Sequence, residues 1–356
     1  MKKTTVLCMF GGKSTEYEVS LSSAHSILSN IDRNKYDVIM LGITRDGKWF
    51  HYNGDIDSIK DDTWHQKDVL PAMLIPDAGS KKLLINCGDP SGYAESADID
   101  VVFPVMHGAH CEDGTLQGLL EICELPYVGP GCLSSAVAMD KVFTKLVLNN
   151  FDIPQAKFKF FTASQISSDP DTCISKAEAE FTYPIFVKPA NAGSSIGTGK
   201  AANREALKTA LINAAKYDSK IIIEEYITAK EIEVAVMGND DIVISQCGEI
   251  NPGSDYYDYD TKYKTNTSSA YIPANIPADT AKKVRELAGT IYKALDCKGM
   301  SRVDFFVCDD GRIVFNEINT LPGFTNISMY PKLFVSEGLT YSEIIDKLIS
   351  LATASR

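Results

Sequence analysis

The densest chemistry in the chain lies between Ser301 and Gly323, SRVDFFVCDDGRIVFNEINTLPG. Asp310-Gly311 sits between two β-rich runs and predicts a hairpin with a two-residue loop. In that register Asp309 faces Arg312, Asp304 lies opposite Glu317, and Arg302 lies opposite Asn319. A three-residue loop would instead set Asp304 opposite Asn316. Side chains alternate along strands, so Arg302, Asp304, Glu317 and Asn319 share one side of the hairpin. Facing Cβ atoms sit about 5 Å apart, where two carboxylates repel unless a cation lies between them. Asp, Glu and Asn oxygens beside a phosphate suit a hard Mg²⁺ ion. The pattern reads as a metal–nucleotide platform; the alternative is a surface hairpin whose polar face is solvated.

Phosphate-binding elements lie upstream. A strand ending in Lys188-Pro189 runs into Asn191–Gly199, which has three glycines and two serines in nine residues. Backbone N–H groups in such a loop can fold over phosphates, although a plain flexible loop has the same composition. It lacks the Gly-Lys-Ser/Thr of a Walker A loop and the spacing of a dinucleotide fingerprint. Lys188, the loop and Lys141 in Met139-Asp140-Lys141 offer three cationic or N–H-rich elements to one triphosphate. Ile221–Ile227, IIIEEYI, is an apolar strand that turns polar at Glu224-Glu225. Its end could present backbone groups to an adenine edge, or it could be an ordinary core strand.

The elements that must position these residues alternate in type. Thr5–Phe10 reads as a strand, Glu18–Asn30 as a helix and Asp37–Ile43 as a second strand. Residues 53–98 look polar and irregular. Asp100–Pro104 reads as a buried strand, followed by the loop His107–Gly114 and a helix through Glu124. This is an open α/β unit with functional loops at strand ends. A single helix is expected near Leu133–Asn149, then a small α+β segment, then a strand-rich remainder interrupted by helices at Ala278–Leu295 and Tyr341–Thr353.

A chain of 356 residues exceeds one core and implies two or three domains. With 44% hydrophobic and 23% charged residues, the composition is that of a soluble globular protein. No apolar run reaches the ~18–20 residues of a membrane span. The apolar run after Lys2-Lys3 is short and ends in Gly11-Gly12, so a first strand is expected rather than a signal peptide. Nine cysteines without a CxxC pair point to free thiols in a reducing cytoplasm. The net charge of −12 disfavours nucleic acid as a partner.

Six motifs together carry a resemblance. They are Gly11–Ser20 (GGKSTEYEVS); His107-Gly108 with Glu112–Gly118 (EDGTLQG); and Met139-Asp140-Lys141. Lys188-Pro189 with Gly193-Ser194-Ser195, Tyr259–Tyr263 (YDTKY) and Asn316–Gly323 (NEINTLPG) complete the set. In this order they resemble the D-alanine–D-alanine ligase family, ATP-grasp enzymes of bacterial peptidoglycan synthesis, over about residues 5 to 350. The resemblance implies a three-domain ATP-grasp fold, α/β and α+β, with an N-terminal Rossmann-like domain. The domains would span 1–139, 140–222 and 223–356, the last with a lid loop at 251–269. ATP would phosphorylate the carboxylate of a first D-alanine, and the amine of a second would attack the acyl phosphate.

The resemblance also implies roles for single residues. Glu16 would pair with the first D-alanine's ammonium, and His107 would lie near its carboxylate. Lys141, Lys188 and Lys262 would neutralise phosphates, with Ser194 and Ser195 in the loop over them. Glu224, Glu225, Tyr226, Ile227, Phe306 and Asn316 would line the nucleotide site, and Glu231 would bind ribose hydroxyls. Asp304, Glu317 and Asn319 match the family's ligands for two Mg²⁺ ions, with Mn²⁺ as a substitute. Arg302 and the Gly323 N–H would stabilise the oxyanion of the tetrahedral intermediate. A lid with Tyr263 meeting Ser194, linked through to Glu16, would keep water from the acyl phosphate.

Relatives that join D-alanine to D-serine or D-lactate make the acceptor a separate question. Ser328-Met329 stands where the second substrate's carboxylate would bind. An apolar residue after the serine resembles the D-alanine-accepting members, as does Tyr263. The expected partners are small molecules, D-alanine and ATP, with no nucleic acid and no membrane; a homodimer is the default assembly.

Overall fold

The computed structural model describes residues 2–86, 95–193, 196–251 and 269–354, in which three sheets carry the architecture. The first sheet has seven strands: β1 (Thr4–Gly11), β2 (Tyr36–Ile43), β3 (Trp49–Tyr52), β4 (Val69–Leu74), β5 (Lys82–Ile85), β6 (Glu95–Asp98) and β7 (Val101–Val105). Their order is β6-β5-β4-β3-β2-β1-β7. Only β2, β1 and β7 run parallel. Val6 to Phe10 are all buried, as expected for a parallel strand covered on both faces. Helix α1 (Tyr17–Asn30) follows β1. Residues 53–98, read from the sequence as irregular, instead hold a short helix α2 (Asp57–Lys60) and three antiparallel strands that widen the sheet. Each is short and weakly alternating, which hid it from pattern reading.

Beyond β7 come α3 (Thr115–Ile122), α4 (Cys132–Met139) and α5 (Lys141–Leu148). The single helix expected near 133–149 is broken at Asp140, whose ψ of 101° is extended. Its carboxylate caps α5 by accepting from the Val142 and Phe143 amides at 3.0 and 3.1 Å. The break lets Lys141 begin a helix at the edge of a cleft.

The second sheet has the order β10-β9-β11-β8 and is antiparallel throughout. It comprises β8 (Phe158–Thr162), β9 (Ile185–Pro189), β10 (Gly199–Ala201) and β11 (Lys220–Glu225). Helices α6 (Ala163–Ser168), α7 (Pro170–Glu178) and α8 (Arg204–Ala214) bury one of its faces through Val187, Ile221 and Ile223. The third sheet is built from β12 (Lys230–Gly238), β13 (Ile242–Ile244), β14 (Gly248–Asn251), β15 (Ser269–Tyr271), β16 (Gly299–Val307) and β17 (Ile313–Asn319). Its apolar face packs against α9 (Ala278–Ala294). Two last helices, α10 (Met329–Ser336) and α11 (Tyr341–Thr353), share a core with the first sheet; Ile344, Ile345, Leu348 and Ile349 form the stripe that enters it.

The β16–β17 hairpin departs from the sequence reading in an instructive way. Cys308 and Arg312 close a three-residue loop, Asp309–Gly311, with Gly311 at φ +85°. That should shift the register by one. A bulge after Asp304 absorbs the shift, so Phe305 pairs with Phe315 while Asp304 pairs with Glu317 and Arg302 with Asn319. Asn316 is the extra residue. The pairings expected from a two-residue loop are thus restored by a bulge.

Candidate active site

Alternation along β12, β16 and β17 sends Ile232, Val234, Val303, Phe305 and Phe315 into the core. The other face carries the polar set. Glu233 lies opposite Asp304, which lies opposite Glu317, giving a row of three carboxylates across three strands. Glu231 faces Phe306 two positions along. Arg302 sits within this row: its Nε and Nη2 donate to the two Asp304 oxygens at 2.8 and 2.7 Å, and Nε lies 3.0 Å from Glu233. Asn319 Nδ2 donates to Asp304 at 3.0 Å. Burial disfavours the Arg302 charge, but Asp304 and Glu233 outweigh it and hold the guanidinium firmly protonated. The guanidinium thus pairs with Asp304 on its own strand and with Glu233 on β12.

The second sheet turns its own polar face toward this row. Lys188 on β9 and Glu224 on β11 lie on the side opposite the Val187 and Ile223 core. Glu224 is clasped by Lys145 at 2.7 Å and Lys188 at 2.9 Å. Burial pushes the Glu224 carboxyl up, but the two lysines win and hold it at about 2. Lys188 Nζ also donates to Asn316 Oδ1 at 3.4 Å, joining the two sheets across the cleft. Lys141 Nζ donates to the Ala192 carbonyl at 2.9 Å and lies 3.9 Å from Glu317. Burial lowers its pKa and the nearby Lys188 lowers it further, against the pull of Glu317.

The Glu225 carboxylate is turned elsewhere, accepting from the Lys157 amide at 3.1 Å and pairing with Arg312 at 3.4 Å. Its amide is engaged as well, donating to the Lys157 carbonyl at 3.0 Å. Tyr226 lies near Phe186, the rings tilted at 42°, with Lys200 Nζ 3.8 Å from its ring centre, and Ile227 follows half-buried.

One cleft gathers these elements with the first sheet's loops. Glu16, His107, Lys141, Arg302, Glu317 and Gly323 all line it, as does Asn319. Glu16 opens α1, and its carboxylate occupies a cradle between two glycines. A Cβ on Gly108 would lie 2.7 Å from Glu16 Oε2, and one on Gly193 would lie 2.8 Å away. A side chain at either position would displace the Glu16 carboxylate.

His107 is buried, and burial lowers its pKa, so the ring is neutral. Its Nδ1 donates to the Leu321 carbonyl at 2.9 Å, an atom that can only accept. Nε2 then accepts from Ser23 Oγ at 3.1 Å. Both ring nitrogens are consumed, so His107 shapes the cleft wall. Glu112 stands beside it, accepting from the Gly108 amide at 2.7 Å and the Leu321 amide at 3.1 Å. The protein packed around Glu112 and the neighbouring Glu16 carboxylate push its pKa up to about 8.

Ser328 stands just before α10 without capping it, and its Oγ accepts from the Thr325 amide at 3.0 Å. That oxygen would lie 2.9 Å from a Cβ placed on Gly323. Met329 does not offer its side chain to the cleft; it is buried, and its sulfur fills the space over Gly248. Ser194, Ser195, Lys262 and Tyr263 lie outside the described residues, as do residues 252–268 of the expected lid. Asn251 and Ser269, which flank that segment, pair with each other across β14 and β15.

Sequence reading missed Lys145, Glu233, Glu112 and Ser23. Lys145 follows Lys141 by one helical turn, and Glu233 shares the strand face of Glu231, so spacing could have found both. Glu112 lay within a quoted motif but gained no role there. Nothing in the sequence marks Ser23.

The donor set fits a nucleotide-bound Mg²⁺. Among the described residues no group of three His, Cys, Asp or Glu side chains is arranged as a metal cage. Asp304 and Glu317 face each other with Asn319 hydrogen-bonded to Asp304. One or two carboxylates completed by substrate phosphates is the usual arrangement for this ion.

Comparison with known proteins places the chain. A family model described as "D-ala D-ala ligase N-terminus" matches residues 5–130, and one described as "D-ala D-ala ligase C-terminus" matches residues 147–350. A D-alanine–D-alanine ligase of Acetivibrio thermocellus is 49% identical over 98% of this chain and 96% of its own length. One from Caldicellulosiruptor bescii is 50% identical over 99% and 96%. Among solved structures, the VanG D-Ala:D-Ser ligase from Enterococcus faecalis superposes with a TM-score of 0.89 at 40% identity, covering 99% of this chain and 100% of that one. The D-alanine–D-alanine ligase from Coxiella burnetii gives 0.84 at 31% identity, covering 99% and 94%.

Proposed function

The chain belongs to the D-alanine–D-alanine ligase family, and we infer that its three-sheet cleft is where that family's reaction takes place. The protein is an ATP-dependent, ADP-forming ligase of the ATP-grasp fold that joins two D-alanine molecules for cell-wall peptidoglycan synthesis. The observation that carries the site is convergence: Glu16 from the first sheet's unit, Lys141 from α5, and Arg302 and Glu317 from the third sheet line one cleft.

In this reading Glu16, fixed between Gly108 and Gly193, receives the ammonium of the first D-alanine. Its carboxylate is then directed toward Lys141 and Lys188, which hold the ATP phosphates. Lys262, Ser194 and Ser195 complete that phosphate site, and Glu231, Phe306, Asn316 and the Glu224–Ile227 backbone hold the rest of the nucleotide. Asp304, Glu317 and Asn319 would hold Mg²⁺, as two ions replaceable by Mn²⁺, which neutralise phosphate charge when bound.

The carboxylate oxygen takes the γ-phosphoryl group, ADP leaves, and the second amine attacks the acyl carbon. Arg302 and the Gly323 amide stabilise the oxyanion before phosphate departs with the original carboxylate oxygen. Ser328 and the backbone of Met329 receive the second carboxylate, and Tyr263 belongs to a lid over 251–269. The proposed domain limits are 1–139, 140–222 and 223–356; the second falls within β11, and α10 and α11 return to the first core.

A cytoplasmic homodimer completes the proposal. The described cysteines, all free thiols, suit a reducing compartment. Among the described residues no helix is long and apolar enough to cross a membrane. Light scattering of the purified protein tests the dimer.

A second reading, D-serine as acceptor, draws on the likeness to the Enterococcus faecalis D-Ala:D-Ser ligase. Competition of D-alanine with D-serine and D-lactate at neutral pH, with products identified by mass, separates them. The homodipeptide should dominate; a preferred mixed product would keep the ligase and overturn the acceptor.

A further inference from the structure

The turn from Leu321 to Phe324, which carries Gly323, is held by side chains that lie far away in sequence. At its first residue, the Leu321 amide donates to Glu112 and the Leu321 carbonyl accepts from His107, across 209 and 214 residues. At its last residue, the Phe324 amide donates to Ser23 Oγ at 3.1 Å, across 301 residues. The Phe324 carbonyl accepts from Tyr341. Ser23 in turn donates to His107 Nε2, so the two flanks share one hydrogen-bonded chain. Ser23, Leu321 and Phe324 are buried.

We propose that Ser23 and Glu112 are positioning residues for the amine-attack step: with His107 they fix both flanks of the turn and so set the place of the Gly323 amide. A backbone N–H stabilises an oxyanion only where it already points at it, and a turn free to shift would lose that aim. The second flank depends on Ser23 alone for its amide, and the first on Glu112. This proposal rests on the reading of Gly323 as an oxyanion donor.

The test uses the full-length enzyme with S23A and E112Q. The first removes a single oxygen; the second is isosteric but offers an acceptor to only one of the two amides. Both keep the packing, and each decides alone if the other fails to fold. Positional isotope exchange in ATP carrying ¹⁸O at the β,γ bridge, with D-alanine present, reports acyl-phosphate formation separately from dipeptide release. Dipeptide kcat should fall about tenfold in each variant, the worth of one lost hydrogen bond. The ATP KM and the rate of isotope exchange should stay at parental values, and amide exchange over 321–324 should quicken. A merely structural role would lower exchange and dipeptide formation together, and that result overturns the proposal. So does turnover within about twofold of the parent, less than one hydrogen bond is worth. No D-alanine-dependent exchange in the parent itself would overturn the ligase reading beneath it.

Discussion

Replacing Lys145 by methionine should separate the two halves of the lysine–glutamate–lysine cluster beneath the phosphate site. Glu224 stands at about 2 because two buried ammonium groups outweigh its own burial, against an ordinary value of 4.5. At about 1.4 kcal/mol per pH unit, that depression corresponds to about 3 kcal/mol of stability. The sign follows from the direction: a lowered carboxylate pKa stabilises above pH 4.5 and the contribution is lost as pH falls toward 2. In K145M, Glu224 keeps only Lys188 while burial still pushes its pKa up, so acid destabilisation begins at higher pH. Breaking a buried pair costs about 3 kcal/mol or more at neutral pH, enough to lower the thermal midpoint by about 5 °C. Lys188, then the sole partner of Glu224, is drawn from the phosphates, and the ATP KM should rise about tenfold, or 1.4 kcal/mol. Thermal unfolding at pH 7 and pH 5, with ATP titrations at pH 7, reads both effects. A midpoint within about 1 °C of the parent together with an unchanged ATP KM would refute the role given to Lys145.

The other expectations are distributed over the cleft. E16Q should raise the KM of the first D-alanine by about 10- to 100-fold, the worth of a charge-assisted hydrogen bond, and leave the ATP KM alone; steady-state kinetics in both substrates shows the split. D304N should cut kcat about 100-fold, several kcal/mol of lost charge stabilisation, and raise the Mg²⁺ needed for half-maximal turnover. Chelation of divalent ions should abolish turnover in the parent, and Mg²⁺ or Mn²⁺ should restore it. D140A removes the α5 cap and the partner of Lys220, and should cost about 1–2 kcal/mol in thermal unfolding. Glu112 has the opposite linkage to Glu224: its raised pKa makes stability fall as pH climbs from 4.5 through about 8. The same pH series on E112Q should be flatter over that window.

What the sequence revealed and what it concealed divide along physical lines. Period-2 alternation and the Asp-Gly turn were enough to set Arg302, Asp304, Glu317 and Asn319 on one face, because facing is a local property of strands. The loop length was wrong and the pairing right, since the bulge at Asn316 has no local sign and offsets the extra loop residue. The break at Asp140 was concealed by the apolar periodicity on both sides of it, although an aspartate before Lys141-Val142 is a good cap. Met329 and Glu225 were read by motif position, which says nothing of where a side chain points; one went into the core and the other toward Arg312. The Ser23–His107–Leu321 chain joins residues from distant parts of the sequence, and only tertiary structure brings them together.

This cleft activates a D-alanine carboxylate by phosphoryl transfer before an amine attacks it. Turnover of ATP and D-alanine labelled with ¹⁸O in its carboxyl group tests that directly, with the released phosphate analysed by mass. One labelled oxygen should pass into phosphate for each D-alanyl-D-alanine formed. Unlabelled phosphate would mean that ATP is split by water and that no acyl phosphate forms.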